Sequence, residues 1–266
     1  MVYLLGDVHG NFCHILPALN AEPAGPKTVI FLGDIEAQRP FEDEIAPLLA
    51  AGIAVWFIHG NHDTDTPQSW ENLQASWHRN LHGRVEEIEG VRIAGLGGIF
   101  RGDVWYPDHP FMTQGKTITR NYAQYEKELR AKVGIKTRLS KFDIIQMADN
   151  SMSSAQLLDL SKHGRLRKHL STIFPDTYDL LSSYQADVLL SHEAPSCHRH
   201  GFKAIDVLAR TIGVHSTFHG HHHDSQDYSM YSREIGFKAF GVGFCGVMDS
   251  NGRTVLAGDF DGLGHG

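Results

Sequence analysis

The chain has 266 residues, of which 41% are hydrophobic and 21% charged, as in an ordinary globular protein. No run approaches the ~18 apolar residues of a membrane helix. The first residues, "MVYLLGDVHG", lack the basic stretch and small-residue cleavage site of a secretory signal. The three cysteines are odd in number and far apart, which does not indicate a disulfide framework, so we expect a cytoplasmic protein with no membrane partner.

The charge is unevenly distributed along the chain. A net charge of −7 argues against a protein that coats nucleic acid, and we expect no stable nucleic-acid partner. Residues 111–170 nevertheless contain twelve Lys or Arg and five acids, a local charge of +7. Solvated helix faces explain this excess most simply. The alternative is a basic cover over a site for phosphorylated ligands.

Short apolar runs rich in β-branched residues predict six buried strands. They lie at 2–5, 28–32, 53–58, 91–96, 186–190 and 215–218. Amphipathic patterns between them predict helices at 41–52, ending at Gly52, from Thr66 as N-cap, and at 204–213, ending at Gly213. Strands that alternate with helices predict an α/β layered fold.

A segment from about 101 to 184 interrupts this alternation with helical patterns at 120–134, 153–164 and 174–184. We expect one domain, 1–266, that carries this segment as a helical insertion tethered close enough to the site to cap it. The tail after it predicts strands joined by a hairpin turn at 250–252.

Polar side chains follow five of the six predicted strands. The fourth strand ends in "GLGG", where the backbone can approach a ligand closely. Because ligands of α/β sheets bind outside the carboxyl ends of the strands, we expect these side chains to form one site. They are Asp7 and His9, then Asp34, then Asn61, His62 and Asp63, then His192, and last the histidines at 219, 221, 222 and 223.

The mixture of imidazole and carboxylate predicts Mn, Fe or Zn rather than Ca or Mg. The ligands are too many for one ion and sufficient for two. Two ions ~3.5–4 Å apart can share a carboxylate and a water, and can clamp a phosphoryl group. A water shared in this way loses its proton near neutral pH and serves as the nucleophile. Each motif alone also has an ordinary structural explanation, such as a turn, a helix cap or a hydrogen-bonded loop histidine, so the prediction depends on their coincidence.

In chain order, "GDVHG", "GDIE", "GNHD", "SHEAP" and "GHHH" resemble the signature of the calcineurin-like metallophosphoesterases. The resemblance implies a four-layer α-β-β-α sandwich with two central sheets and a dinuclear metal site at the strand ends. From the ligand types, we expect this site to hold Mn²⁺ or Fe, or else Zn²⁺. It implies that one metal is held by Asp7, His9, Asp34 and His223, and the second by Asp34, Asn61, His192 and His221.

The same resemblance assigns roles to the neighbouring residues. His62 would contact no metal and would protonate the leaving oxygen, as suits an imidazole, with Asp63 as a candidate orienting partner. Of the histidines at 219–223, only the two of the "GHxH" pattern would bind metal. His222 would point away, and His219 would be a supporting or core histidine.

The second motif, "GDIEAQRP", departs from the protein-phosphatase branch of that family, which has GDxxDRG. Ala37 and Gln38 stand where that branch has its second Asp and its Arg. We therefore predict a phosphomonoesterase or phosphodiesterase that acts on a small phosphorylated molecule or nucleotide. Candidates to grip the phosphate are Arg39, Arg101 and Arg199.

Three other functions remain open as alternatives: a Ser/Thr-type protein phosphatase, a nuclease and a non-catalytic metal-binding scaffold. The net negative charge and the lack of aromatic residues interleaved with basic ones disfavour the nuclease. The presence of every ligand and of His62 disfavours the scaffold.

Overall fold

The computed structural model describes residues 1–108, 118–131 and 164–261. These residues form two β-sheets. The first has five strands in the order β11-β10-β1-β2-β3. Its strands β1, β2 and β3 are parallel, and the hairpin β10–β11 adds to β1 in the antiparallel direction. The bounds are β1 Val2–Leu5, β2 Thr28–Phe31, β3 Ala54–Phe57, β10 Val247–Asp249 and β11 Thr254–Leu256.

The second sheet has six strands in the order β4-β5-β6-β7-β9-β8. Its four central strands are parallel, and an antiparallel strand closes each edge. The bounds are β4 Arg84–Ile88, β5 Val91–Leu96, β6 Val188–Ser191, β7 Ser216–His219, β8 Gln226–Asp227 and β9 Lys238–Gly241. The six strands expected from the sequence are all present.

The core is divided into layers by the alternation of side chains along the strands. In β1, Val2 and Leu4 pack between the two sheets, whereas Tyr3 and Leu5 face the helices on the outer side. From the second sheet, Phe218 and Phe240 enter the central layer with their rings stacked at 5.0 Å. Helices cover the outer face of each sheet. The predicted α/β sandwich with two central sheets is confirmed.

Two helix ends lie where the sequence predicts a capping residue. Thr66 accepts a hydrogen bond from the backbone N–H of Ser69, and Gly213 adopts the left-handed conformation that ends its helix. The bounds are α1 Ile15–Asn20, α2 Phe41–Glu44, α3 Ala46–Ala50, α4 Pro67–Gln74, α5 Tyr122–Ala131, α6 Pro175–Ser182, α7 Lys203–Ile212 and α8 Ser232–Ile235.

The helix expected at 41–52 is divided into α2 and α3. The break falls at Ile45 because Pro47 has no N–H and its ring clashes with the carbonyl four residues earlier. Ile45 and Leu48 are still buried in the outer core, so the amphipathic pattern predicted the buried face even though the helix is broken.

Two of the three helices expected in the insertion fall on α5 and α6. The pattern at 153–164, except its last residue, and the stop at Gly134 lie outside the described residues. The extent of the insertion and the single-domain assignment stay predictions. Within the described ranges, no helix is both long enough and apolar enough to cross a membrane.

Candidate metal centre

The strand ends of both sheets meet at one place and deliver the seven predicted metal ligands to it. Two groups of ligand atoms each lie within 4.8 Å of one another, His9, Asp34 and His223 in the first and Asp34, His192 and His221 in the second. Asp34 belongs to both groups. The described residues therefore offer two adjacent positions for a cation that share one carboxylate.

Asp7 and Asn61 complete the two groups. One Asp7 oxygen, Oδ2, lies 3.4 Å from Nε2 of His223, and Oδ1 of Asn61 lies 3.2 Å from Nε2 of His192. Asp7 thus adjoins the first position and Asn61 the second, as the resemblance implied. Each of the two groups now has four donor side chains.

Three buried atoms of the site have no hydrogen-bond partner among the described residues: Oδ1 of Asp7, Nε2 of His9 and Oδ2 of Asp34. Buried polar atoms are normally paired because desolvation without a partner costs a few kcal/mol each. Two of these atoms are carboxylate oxygens and the third is an imidazole nitrogen, which are donors that Mn, Fe and Zn accept. The residues present therefore fit bound metal ions.

The electrostatics of the site also favour a cation. Burial raises the pKa of Asp7, whereas for Asp34 the neighbouring His192 outweighs burial and holds the pKa well below its usual range. Burial disfavours charge on His192 as well, but Asp34 outweighs it and raises the pKa of His192 to about 10. Asp34 is therefore held as an anion, which is the form that binds a cation.

Two of the other imidazoles, those of His221 and His223, are held in the form that binds metal. Burial, reinforced by the charge of His192, lowers the pKa of His221 to about 3, and burial also lowers the pKa of His223. Both rings are therefore neutral at physiological pH, as a metal ligand must be.

The backbone at the site is unusually strained. Seven described non-glycine residues have positive φ, and five of them are His9, Asp34, Glu36, His221 and His223, with φ between 42° and 70°. Such conformations cost of order 1–3 kcal/mol each and cluster at functional sites. The turns that follow the strands thus direct the ligands inward through backbone conformation.

Two glycines permit the close approach of these turns. A Cβ atom on Gly60 would collide with the Asp34 carboxylate and with the ring of His192. A Cβ atom on Gly220 would collide with Oδ1 of Asp7. Glycine is therefore required at both positions for the carboxylates and imidazoles to come together.

Hydrogen bonds to the outer ring nitrogens orient two of the histidines. Nδ1 of His9 lies 2.8 Å from Oε2 of Glu36, and Nδ1 of His192 lies 2.8 Å from the carbonyl oxygen of Leu32. With Nδ1 bonded in this way, Nε2 of each ring is the atom that faces the site. No motif in the sequence indicated a role for Glu36, although it directly follows Asp34 and Ile35.

His62 lies at the rim of the site, and its orienting carboxylate is Asp65. Nδ1 of His62 is 2.7 Å from Oδ2 of Asp65, and this bond is the main reason that the pKa of His62 rises to about 9. Asp63, the partner suggested by the sequence, instead accepts backbone N–H bonds of 2.7 Å from Glu36 and Gly60. The short 3₁₀ helix His62–Thr64 explains the difference, because it brings residue i+3 beside residue i.

The two remaining histidines of the 219–223 run do not join either group of ligand atoms. His219 is buried at the end of β7, and its Nδ1 lies 2.9 Å from the carbonyl oxygen of Gly220. The ring of His222 stacks on His198 at 3.8 Å, so it faces away from the metal positions. Both placements agree with the expectation from the resemblance.

The three arginines predicted to grip phosphate have different environments. Arg39 is 65% exposed and paired with Glu44 at 2.8 Å, and Arg199 is exposed. Arg101 is half-buried and lines a cavity together with Asn61. The structure thus brings only Arg101 of the three to a cavity shared with the candidate metal centre.

Comparison with known proteins identifies the family. The family model described as "Calcineurin-like phosphoesterase" matches residues 1–225, a range that contains every side chain of the two ligand groups. A Haemophilus influenzae protein described as "Uncharacterized protein" is 35% identical over 258 residues, which cover 96% of each chain. The chain belongs to the calcineurin-like phosphoesterase family.

Proposed function

We propose that this protein hydrolyses small phosphoesters with two metal ions held at the shared Asp34 carboxylate. The family supports metal-dependent phosphoester hydrolysis in general. The observation that carries the finer proposal is that two groups of ligand atoms have Asp34 in common. A shared carboxylate between two ligand sets is the arrangement expected of a two-metal site.

The donor set favours particular metals. Four imidazoles, two carboxylates and one amide suit Mn or Fe best, with Zn as a further candidate. When bound, two such ions supply Lewis acidity towards the phosphoryl oxygens and lower the pKa of a water molecule. Asp7, His9, Asp34 and His223 would hold one ion, and Asp34, Asn61, His192 and His221 the other.

His62 is suited to donate a proton to the leaving oxygen. Because the hydrogen bond to Asp65 raises its pKa to about 9, the ring carries its proton at neutral pH. Its Nδ1 is engaged by the carboxylate, which leaves Nε2 as the donor towards substrate. The side chain is 44% exposed, so a leaving group can reach it.

The second motif supports a small substrate over a phosphoprotein. Ala37, which replaces the second Asp of the protein-phosphatase branch, is fully buried, and Gln38 donates to the Glu36 carbonyl at 2.8 Å. Neither position offers a carboxylate to His62. The carboxylate that pairs with His62 is therefore Asp65, whereas in the protein-phosphatase motif it would stand at position 37.

One comparison tests the proposed activity. Purified protein should release phosphate or alcohol from an aryl phosphate monoester, the matching diester, or both, when Mn²⁺ is added, and should lose that activity when the metal is chelated. We expect a preference of about tenfold for one ester over the other, which would identify the protein as a phosphomonoesterase or as a phosphodiesterase. Absence of hydrolysis with Mn²⁺, Fe²⁺ and Zn²⁺ alike would refute the proposal.

The role of His62 is tested by changing the leaving group. We expect His62→Ala to lower kcat by roughly 10²–10⁴-fold for an alkyl phosphate, within the range of general acid catalysis. The loss should be much smaller for a nitrophenyl phosphate, whose leaving group needs no proton. His78→Ala, which removes an exposed histidine, serves as control. An equal loss for both esters would contradict proton donation by His62.

A further inference from the structure

A cavity of about 440 Å³ adjoins the candidate metal centre, since Asn61 and Asp65 are among its lining residues. Three cationic side chains, Arg101, Arg167 and Lys168, line the same cavity. Among its described lining residues Asp65 is the only acid, so positive charge is in excess. The volume is that of a site for a small molecule, and the charge favours an anion.

Arg101 has unused hydrogen-bonding capacity in this cavity. Its Nη2 donates to Oγ of Ser171 at 3.2 Å, but its Nε is buried and bonds to none of the described residues. Burial, only partly offset by surrounding carboxylates, lowers the pKa of the guanidinium. A buried donor without an acceptor is unfavourable, and an anionic ligand would supply the acceptor.

Hydrogen bonds fix Arg101 and Arg167 relative to the turn that carries Asn61. Oγ of Ser171, which binds Arg101, lies 2.9 Å from Oγ1 of Thr64, and Thr64 donates to the Asn61 carbonyl at 3.0 Å. From the same wall, Arg167 donates to the carbonyl oxygens of Thr64 and Asp65. The wall of the cavity that carries Arg101 and Arg167 is therefore anchored to the turn that carries Asn61 and His62.

The position of Asp65 tells which part of a substrate the cavity would receive. This carboxylate lines the cavity and also binds His62, the proposed proton donor to the leaving oxygen. A group that occupies the cavity is thus on the side of the departing alcohol. The phosphoryl group that is transferred would lie instead against the two sets of metal ligands.

We propose that the cavity holds a second phosphate group, carried by the leaving alcohol, and that Arg101, Arg167 and Lys168 bind it. The substrate class is then a small molecule with two phosphate groups, of which one is hydrolysed. The three positive charges, less the negative charge of Asp65, balance a phosphate dianion, and the buried Nε of Arg101 supplies a donor for it. This inference rests on the proposed function and specifies its substrate.

A series of flexible substrates tests it. The Mn²⁺-loaded full chain is given alkanediol bisphosphates of two, four and six carbons, and the corresponding hydroxyalkyl monophosphates, and phosphate release is measured. We expect the best bisphosphate to exceed its monophosphate in kcat/KM by about tenfold or more, the size expected for charge-assisted hydrogen bonds. A factor of two follows from statistics alone, because each bisphosphate has two cleavable groups.

Variants locate the source of the preference. Arg101→Gln should reduce the ratio of kcat/KM for bisphosphate over monophosphate by about tenfold, and so should Lys168→Gln, which is exposed and so tolerates substitution. Arg92→Gln is the matched control, since Arg92 lies near the amino end of β5 whereas Arg101 follows its carboxyl end. In the control variant the ratio should equal that of the wild type.

Several outcomes would overturn the inference. Equal kcat/KM for bisphosphates and monophosphates would do so, as would a preference that both Arg101→Gln and Lys168→Gln retain. A carboxyalkyl phosphate hydrolysed as well as the bisphosphate would show that the cavity does not require phosphate. Hydrolysis of simple monophosphates without any such preference would leave the proposed function intact. No hydrolysis of any ester would overturn both.

Discussion

Two groups of histidines in this protein have opposite surroundings. His9, His192, His221 and His223 lie against the carboxylates of Asp7 and Asp34. His59 and His82 instead pack against each other at 4.6 Å, and His59 also contacts the rings of Trp70 and Trp77 at 5.5 and 5.7 Å. The first group forms the candidate metal centre and the second forms an aromatic cluster.

The difference teaches that burial alone does not make a histidine a ligand. Burial lowers the pKa of His82 to about 4 and that of His59 well below its usual value. His192 is equally buried, yet the adjacent carboxylates raise its pKa to about 10. Among the described histidines, the candidate ligands are therefore distinguished by their position beside Asp7 and Asp34 and not by burial.

The largest effect should come from removing the carboxylate that distinguishes the two groups. Asp34→Asn keeps the shape of the side chain but removes its charge from both metal positions. We expect kcat/KM to fall by about a thousandfold or more, equivalent to roughly 4 kcal/mol of transition-state stabilisation. Steady-state kinetics and metal analysis of the purified protein measure this, with the exposed Asp43→Asn as control. Full metal content in the Asp34 variant would contradict the shared-carboxylate model.

Adjacent histidines provide a sharper contrast. His221→Ala should weaken metal binding by about a hundredfold or more, since it deletes a donor from the second ligand group. His222→Ala should have a far smaller effect, because its ring stacks on His198 instead. Calorimetric titration of the metal-free variants with Mn²⁺ compares them. Equal losses of affinity would mean that His222 also binds metal.

In the aromatic cluster the expected effect is on stability alone. His59 is 1% exposed and its Nδ1 lies 3.2 Å from Nδ2 of Asn80. His59→Ala should lower the free energy of unfolding by about 2–4 kcal/mol through loss of packing, as for other large buried side chains. Urea denaturation measures the loss, and the variant should still bind Mn²⁺. A loss of metal affinity at unchanged stability would mean that His59 contributes to metal binding, contrary to this prediction.

The smallest effect should come from breaking an exposed ion pair that is not part of the candidate metal centre. Arg92 and Asp187 form an exposed bidentate pair, whose side-chain hydrogen bond is the main cause that lowers the pKa of Asp187 to about 2. Arg92→Gln should destabilise the protein only slightly at pH 7 because solvent screens the pair. Since the folded pKa lies below the unfolded value, this contribution is present above about pH 4 and is lost as the pH falls towards 2.

Urea denaturation of the wild type and of Arg92→Gln between pH 7 and pH 3 measures that trend. The difference in unfolding free energy should shrink as the pH falls. A difference that grows on acidification would show that the pair does not lower the pKa of Asp187 in solution.

The sequence predicted the central strands well because buried parallel strands are continuous apolar runs. It missed β4, whose pattern contains Glu86 and Glu87 and which is mostly half-exposed beside β5. It predicted the hairpin turn at 250–252, but not that β9 and β10 join different sheets. Sheet order depends on contacts between distant segments, which local patterns do not contain.

The candidate site was predictable where motifs follow strands, because strand ends converge. Asp65 and Glu36 were not assigned roles, since their contacts to His62 and His9 depend on turn geometry rather than on spacing along a strand. The cavity lined by Arg101, Arg167 and Lys168 could not be predicted for a different reason. Arg101 and Arg167 are separated by 66 positions in sequence, and only the fold brings them to one wall.

The left-handed turns at the metal centre have a consequence for protein design. His9, Asp34, His221 and His223 each point inward from a backbone conformation that an ideal strand or helix does not provide. Copying these side chains onto the strand ends of another scaffold would therefore aim them in the wrong directions. A designer who wished to transplant the centre would have to move the loops whole, with Gly60 and Gly220 in them.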